Sequence, residues 1–112
     1  MNTNRDPTEI AETILHRSIC SIKVGACIAD NWGVFAWGPN HMGPDGMGLC
    51  AERFAISRAS KSRLYKSTIY VAGEYRRGKF VPARPCEKCK KVIDKYNMII
   101  KWRDRTGEWR TE

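Results

Sequence analysis

The sequence predicts an α/β fold: a three-layer sandwich with a mixed five-stranded sheet between helices, its last two strands antiparallel. Three observations predict it. Helical and strand periods alternate along the chain in the order α-β-β-α-β-α-β-β. The 112 residues carry no Gly/Ser/Pro-rich linker, so residues 1–112 suit a single domain around one core. The segments Asp30-Asn31-Trp32-Gly33 and Asp104-Arg105-Thr106-Gly107 are turn formers short enough to join antiparallel neighbours.

The first helix covers residues 8–15, where Ile10, Ile14 and Leu15 share a face. Pro7 suits its first position because an N–H there would have no helical partner. Residues 21–29 and 34–37 then read as the two strands of a hairpin. Residues 38–48 hold four glycines and two prolines, too many for a regular element, and form a loop shaped for close approach. A second helix runs from about residue 49 to 60, with Phe54, Ala55 and Ile56 among its apolar positions. Residues 67–73 are rich in β-branched and aromatic side chains and make the clearest strand, bounded by Gly73 and a basic loop, 74–84. Residues 86–97 are helical, with Cys89, Val92, Ile93 and Tyr96 at i, i+3, i+4 and i+7 and Asn97 as a left-handed stop. Strands at 98–103 and 108–111 close the chain.

Composition narrows the function. The longest apolar run is a few residues, far short of the roughly 20 that cross a bilayer, so no membrane role is expected. The N-terminus Met1-Asn2-Thr3-Asn4-Arg5-Asp6 has no apolar leader segment, which points to a reducing, cytoplasmic compartment. There, five cysteines suggest metal binding or catalysis rather than disulfides. Cys20 and Cys27, beside and within an apolar run, read as small core hydrophobes. The net charge of +8 is spread over clusters such as Lys61/Arg63/Lys66, Arg76/Arg77/Lys79, Lys88/Lys90/Lys91/Lys95 and Lys101/Arg103/Arg105. That field favours anionic partners, nucleotide phosphates or a nucleic-acid strand, with a merely solvated surface as the alternative.

The remaining cysteines carry the chemistry. Cys50-Ala51-Glu52 opens one helix and Pro85-Cys86-Glu87-Lys88-Cys89 another. Cys86 and Cys89 lie three apart on a helix's first turn and point off one side, where the helix end stabilises thiolates. Cys50 and Glu52 are about 200° apart on an ideal helix, so they share a site only if Cys50 sits at the open end and Glu52 in the first turn. Three thiolates and a carboxylate that is not a ligand describe a catalytic zinc with one open position, one ion per chain. Such a shell carries net negative charge, and Arg53 is placed to compensate it by donating to the sulfurs.

Cys-Ala-Glu-Arg at 50–53 followed by Pro-Cys-x-x-Cys at 85–89 resembles the zinc-dependent cytidine deaminase superfamily, in its three-cysteine branch of free cytidine deaminases and blasticidin S deaminase. Lys23-Val24-Gly25-Ala26 is similar to that family's first strand, and Gly38-Pro39-Asn40 to the Gly-x-Asn ending its second. The resemblance spans roughly residues 10–107. It implies Cys50, Cys86 and Cys89 as zinc ligands and Glu52 as the proton shuttle of a hydrolytic deamination. It further implies substrate contacts from the backbone of Ala51 and Arg84 and from the side chain of Asn40, the last to a sugar hydroxyl. The implied substrate is a small cytosine nucleoside or nucleotide, and the implied assembly a homo-oligomer, dimer or tetramer, whose neighbouring subunits complete the sites.

Two departures bear on the substrate. Met42 stands where free cytidine deaminases carry a ribose-binding glutamate, and Ile22 where they carry an aromatic residue. These losses keep two alternatives open: deamination of cytosine in single-stranded nucleic acid or in a cytosine-like drug, and a non-catalytic zinc-containing nucleic-acid-binding module. His41 would then be near a phosphate or base, and Trp32, Trp37, Trp102 and Trp109 with Arg76, Arg77, Lys79 and Arg84 would supply a stacking surface for single strands. The absence of a helix before the last strand is similar to the free-nucleoside branch and unlike polynucleotide editors.

Overall fold

Asp6 caps the first helix, α1 (Pro7–Ile14): its Oδ1 accepts the Thr8 N–H at 3.0 Å, and Pro7 takes the first turn as expected. A single 3₁₀ turn (Leu15–Arg17) follows and leads into β1 (Ile22–Asp30). β1 and β2 (Gly33–Pro39) form the expected hairpin, then two short pieces, β3 (His41–Met42) and β4 (Gly48–Leu49), pair with each other. α2 (Ala51–Arg58), α3 (Lys61–Leu64), β5 (Thr68–Tyr75), β6 (Phe80–Val81), α4 (Glu87–Lys95), β7 (Ile99–Arg103) and β8 (Trp109–Thr111) complete the chain. This is a computed structural model, and it describes residues 6–42, 48–75 and 77–112. The segment 1–5, the stretch 43–47 of the glycine-rich loop and Arg76 lie outside the described residues.

The sheet runs β2-β1-β5-β7-β8, with β6 added beside β5, so it has six strands where the sequence predicts five. β5 and β7 are parallel and every other pair is antiparallel, including the final β7–β8 pair. Side chains alternate along β1. Ala26 and Ile28 face a core shared with α2, α3 and α4, while Cys27 and Ala29 face one shared with α1. The helices therefore cover both faces, and the three-layer arrangement follows.

α1 lies close on β1. A Cβ at Gly25 would stand 2.4 Å from both the Ala11 carbonyl oxygen and the Leu15 nitrogen, so only glycine admits this contact. α4 ends as its sequence predicts. Asn97 adopts φ 55°, its N–H reaches the Asp94 carbonyl at 3.0 Å, and the Met98 N–H reaches that of Ile93 at 3.2 Å.

The differences from the expected elements have local causes. The helix expected at 49–60 is α2 alone. Leu49 is drawn into pairing with His41, and Ala59 and Ser60 are extended, with Ser60 at the cap position of a separate short helix. Gly73 does not end its strand. It pairs with Val24 on one side and Val81 on the other, so β5 continues to Tyr75 and the expected basic loop folds back as a hairpin into β6. Cys27 is fully buried, its thiol 3.1 Å from the Pro7 carbonyl and its pKa pushed up to about 12 by burial. Cys20 is half-buried before β1 and belongs to neither core. The tryptophans do not form one surface: Trp37 and Trp109 pack toward α1, Trp102 toward the opposite core, and Trp32 is exposed in the first hairpin turn.

Candidate metal centre and active site

Cys50 and Cys86 occupy the same structural position on two different helices. Each is the extended residue at the N-cap, of α2 and of α4, so each thiol lies at the positive end of a helix. Neither side chain makes a capping hydrogen bond of ordinary geometry to its own helix, which leaves the sulfur available to another partner. Cys89, on the first turn of α4, brings its Sγ to 3.5 Å from that of Cys86. The Sγ atoms of Cys50, Cys86 and Cys89 all lie within 4.8 Å of one another.

That spacing fits zinc. Four ligands at about 2.3 Å around a tetrahedral ion put sulfurs about 3.8 Å apart. Three soft donors, drawn from segments 36 residues apart in the sequence (Cys50 to Cys86, 86 − 50), converge without a disulfide, since all five cysteines are free. The trio is graded in exposure, with Cys86 exposed, Cys50 intermediate and Cys89 buried. The thiol of Cys86 is shifted down because the Cys89 and Lys88 backbone N–H groups point at it, while Cys89 is shifted up by burial and by the charge of Glu52.

Glu52 sits in the first turn of α2, 6 % exposed, beside these sulfurs. Burial pushes its carboxyl above the usual range, partly offset by its own backbone N–H, the Cys89 thiol and the charge of Arg53. Arg53 Nη2 lies 3.6 Å from the Cys50 sulfur, the donor expected from the charge of the shell.

Cys50, Cys86 and Glu52 open onto one cavity of about 310 Å³, lined also by Val24, Asn40, Gly48, Leu49, Ala51, Val81, Pro82, Ala83 and Arg84. Every residue expected from sequence to touch substrate, Asn40, Ala51 and Arg84, is therefore on its wall. Asn40 also ties two strands together. Its Oδ1 accepts the Val24 N–H and its Nδ2 donates to the Ile22 carbonyl, both at 2.9 Å, which pins the start of β1 to the end of β2. One N–H and one lone pair of its amide are left for another partner. The sequence reading overlooked the apolar wall Leu49, Val81 and Pro82. Its one signal was Pro82, three residues before Pro85, in a stretch otherwise read as a charged loop. His41 packs edge-on against Phe54, centroids 4.6 Å apart, and does not line the cavity.

A buried acid with an upward-shifted pKa, three thiols at zinc spacing and a largely apolar cavity are the parts a metal-assisted hydrolysis uses. Comparison with known proteins agrees. A family model described as the cytidine and deoxycytidylate deaminase zinc-binding region matches residues 1–102. Among solved structures, a cytidine deaminase from Burkholderia pseudomallei is similar with a TM-score of 0.69 at 23% identity, over 95% of this chain and 88% of that one. A dCMP deaminase from the cyanophage S-TIM5 is similar with a TM-score of 0.68 at 24% identity, over 88% and 79%. A cytidine deaminase from Mycobacterium leprae is similar with a TM-score of 0.66 at 21% identity, over 93% and 88%. No curated protein is significantly similar to the chain. These likenesses fix the fold, and the family match fixes the kinship: the chain belongs to the cytidine and deoxycytidylate deaminase family, hydrolytic enzymes built around a zinc-binding region.

Proposed function

We propose that the protein removes the exocyclic amine of a cytosine nucleoside or nucleotide by hydrolysis, giving the uracil form and ammonia. Cys50, Cys86 and Cys89 hold the metal, one ion per chain. The observation that carries the reading is Glu52, a carboxyl 6 % exposed, set beside three converging sulfurs and facing a cavity large enough for a pyrimidine ring. When bound, zinc supplies Lewis-acid chemistry that makes water acidic enough to act near neutral pH. Glu52 takes a proton from the attacking water and delivers it to the ring nitrogen beside the amine-bearing carbon. It then passes the second water proton to the departing amine, so the carbon–nitrogen bond breaks as the carbonyl forms. The raised pKa of Glu52 suits both directions of transfer, since the group must accept and release a proton within one turnover.

On this reading the backbone N–H of Ala51, which lines the cavity at the start of α2, meets the pyrimidine carbonyl, while the carbonyl of Arg84, also on the wall, orients the leaving amine. Asn40 uses its remaining amide capacity on a sugar hydroxyl. The protein works in the cytoplasm, in pyrimidine salvage, as a homo-oligomer.

The test is the loss of cytosine-band ultraviolet absorbance on cytidine, deoxycytidine, dCMP and a cytosine-containing oligonucleotide, with zinc content measured on the same samples. Wild type is expected to carry about one zinc per chain and to turn over at least one substrate. Glu52→Gln is expected to keep the metal and lose about 10²–10⁴-fold in kcat/KM. Zinc-loaded wild type that leaves all of these substrates unchanged would overturn the reading.

A further inference from the structure

We propose that Phe54 is a positioning residue of the active site, the side chain through which the helix that begins at Cys50 holds Asn40 in place for the sugar of the substrate. This rests on the deaminase reading above, in which Asn40 meets a sugar hydroxyl, and it adds a residue that is neither a metal ligand nor on the cavity wall. The Phe54 N–H reaches the Cys50 carbonyl at 3.0 Å, so the ring and the first sulfur belong to one turn of α2.

The ring lies against the corner that carries Asn40. A Cβ at Gly38 would stand 2.6 Å from Phe54 Cδ2, so the ring sits directly on the backbone two residues before Asn40, while the His41 ring packs edge-on to it one residue after, centroids 4.6 Å apart. Asn40 is thus bracketed. One helical turn further, the Arg58 guanidinium lies 5.1 Å from the centroid of the same ring and donates from Nη1 to the Trp37 carbonyl at 3.2 Å, a second grip on the end of β2. His41 in turn pairs with Leu49 of the cavity wall. The ring therefore stands behind two wall residues, Asn40 and Leu49.

Core packing does not account for this side chain. Phe54 is half-buried and belongs to neither core, unlike Ala55 and Ile56 beside it, so its truncation leaves both cores intact. Asn40 gives Oδ1 to Val24 and Nδ2 to Ile22, and its own N–H reaches the Val24 carbonyl at 2.9 Å. Those bonds tie the corner to β1. Its approach to α2, where Ala51 and Glu52 line the cavity, is set by the ring. On the reading above a nucleoside is held at two points, base against the start of α2 and sugar against Asn40, and the spacing of the two must match the substrate. Phe54 spans them.

The test compares wild type, Phe54→Leu and Phe54→Tyr, all zinc-loaded, by steady-state kinetics on cytidine, deoxycytidine and dCMP and by amide hydrogen exchange followed by NMR. Leucine lacks the ring that meets Gly38 and His41, and tyrosine keeps it. Phe54→Leu is expected to raise KM about tenfold on whichever substrate wild type prefers, with kcat within about twofold, the mark of lost ground-state binding. Exchange at the Val24 and Asn40 amides, which close the clamp, is expected to quicken by about tenfold or more relative to Cys27 and Ile28 farther along β1. Phe54→Tyr is expected to match wild type in both. Unchanged exchange at Val24 and Asn40 in Phe54→Leu overturns the proposal, as does an unchanged KM. A uniform quickening along β1 overturns it too, since the ring would then serve stability and not placement. Wild type that turns over none of the three substrates ends the deaminase reading, and the exchange arm still decides whether Phe54 holds Asn40.

Discussion

Glu52 and Arg53 are consecutive on the first turn of α2 and answer opposite demands of one site. The acid is buried, where its charge is disfavoured. The base reaches the sulfur of Cys50 at 3.6 Å, where its guanidinium donates toward it. Replacing Arg53 by Gln removes that charge and shortens the reach while leaving α2 a good helix former. Zinc affinity is then expected to fall about 10–100-fold, read by competition with a chromogenic chelator, with the circular dichroism spectrum unchanged. An affinity equal to wild type would show that Arg53 does not tune the metal. The placement of both beside the sulfurs was legible in the sequence because it follows from adjacency to Cys50. The double use of Asn40 was not. That its amide clamps β1 depends on β1 and β2 ending side by side, a register no short motif encodes.

At the scale of elements, the site exists because two helices begin at the same place, and α2 and α4 are set there by the sheet face they share. α1 works from the opposite face. Its closest approach to the sheet is Gly25, beside Val24 of the catalytic cavity. Gly25→Ala would force the Ala11 and Leu15 backbone away from a Cβ placed at 2.4 Å, and backbone does not yield as a side chain end does. A loss of about 3 kcal/mol is expected, measured by urea unfolding, and a change under about 0.5 kcal/mol would mean that α1 slides freely over β1. The helices, the hairpin and the left-handed Asn97 were readable because each rests on local periodicity or turn chemistry. β6 was not, since Phe80 and Val81 form a strand only through pairing with Gly73 and Glu74, and a glycine in a strand reads as a boundary until its neighbours are known. The break between α2 and α3 was missed for the converse reason: apolar spacing continues across Ala59 and Ser60 although the backbone does not.

At the scale of the whole molecule, one buried cation joins α1 to two strands of the sheet. Arg103, at the end of β7, is 2% exposed. Its Nη1 reaches Glu12 of α1 at 2.7 Å, its Nη2 donates to the Gly73 carbonyl of β5 at 3.0 Å, and its plane lies 3.9 Å from the ring of Phe80 in β6. Its own carbonyl accepts the N–H of Ala83, on the catalytic wall, at 3.2 Å. Its Nε is buried without a partner among the described residues, so the residue is not optimal for stability alone. Arg103→Met keeps much of the volume and the backbone contact to Ala83, and it removes the guanidinium that ties α1, β5 and β6 together. Glu12 is 37% exposed and regains water, whereas the Gly73 carbonyl and the underside of Phe80 lose their partner. The expected loss is about 2–3 kcal/mol, or about 10 °C in Tm by calorimetry. Because Phe80 would be loosened while Cys50, Cys86 and Cys89 stay in place, the variant is expected to retain about one zinc per chain below its transition. Equal Tm values for variant and wild type would mean that the guanidinium is held by the fold and does not hold it.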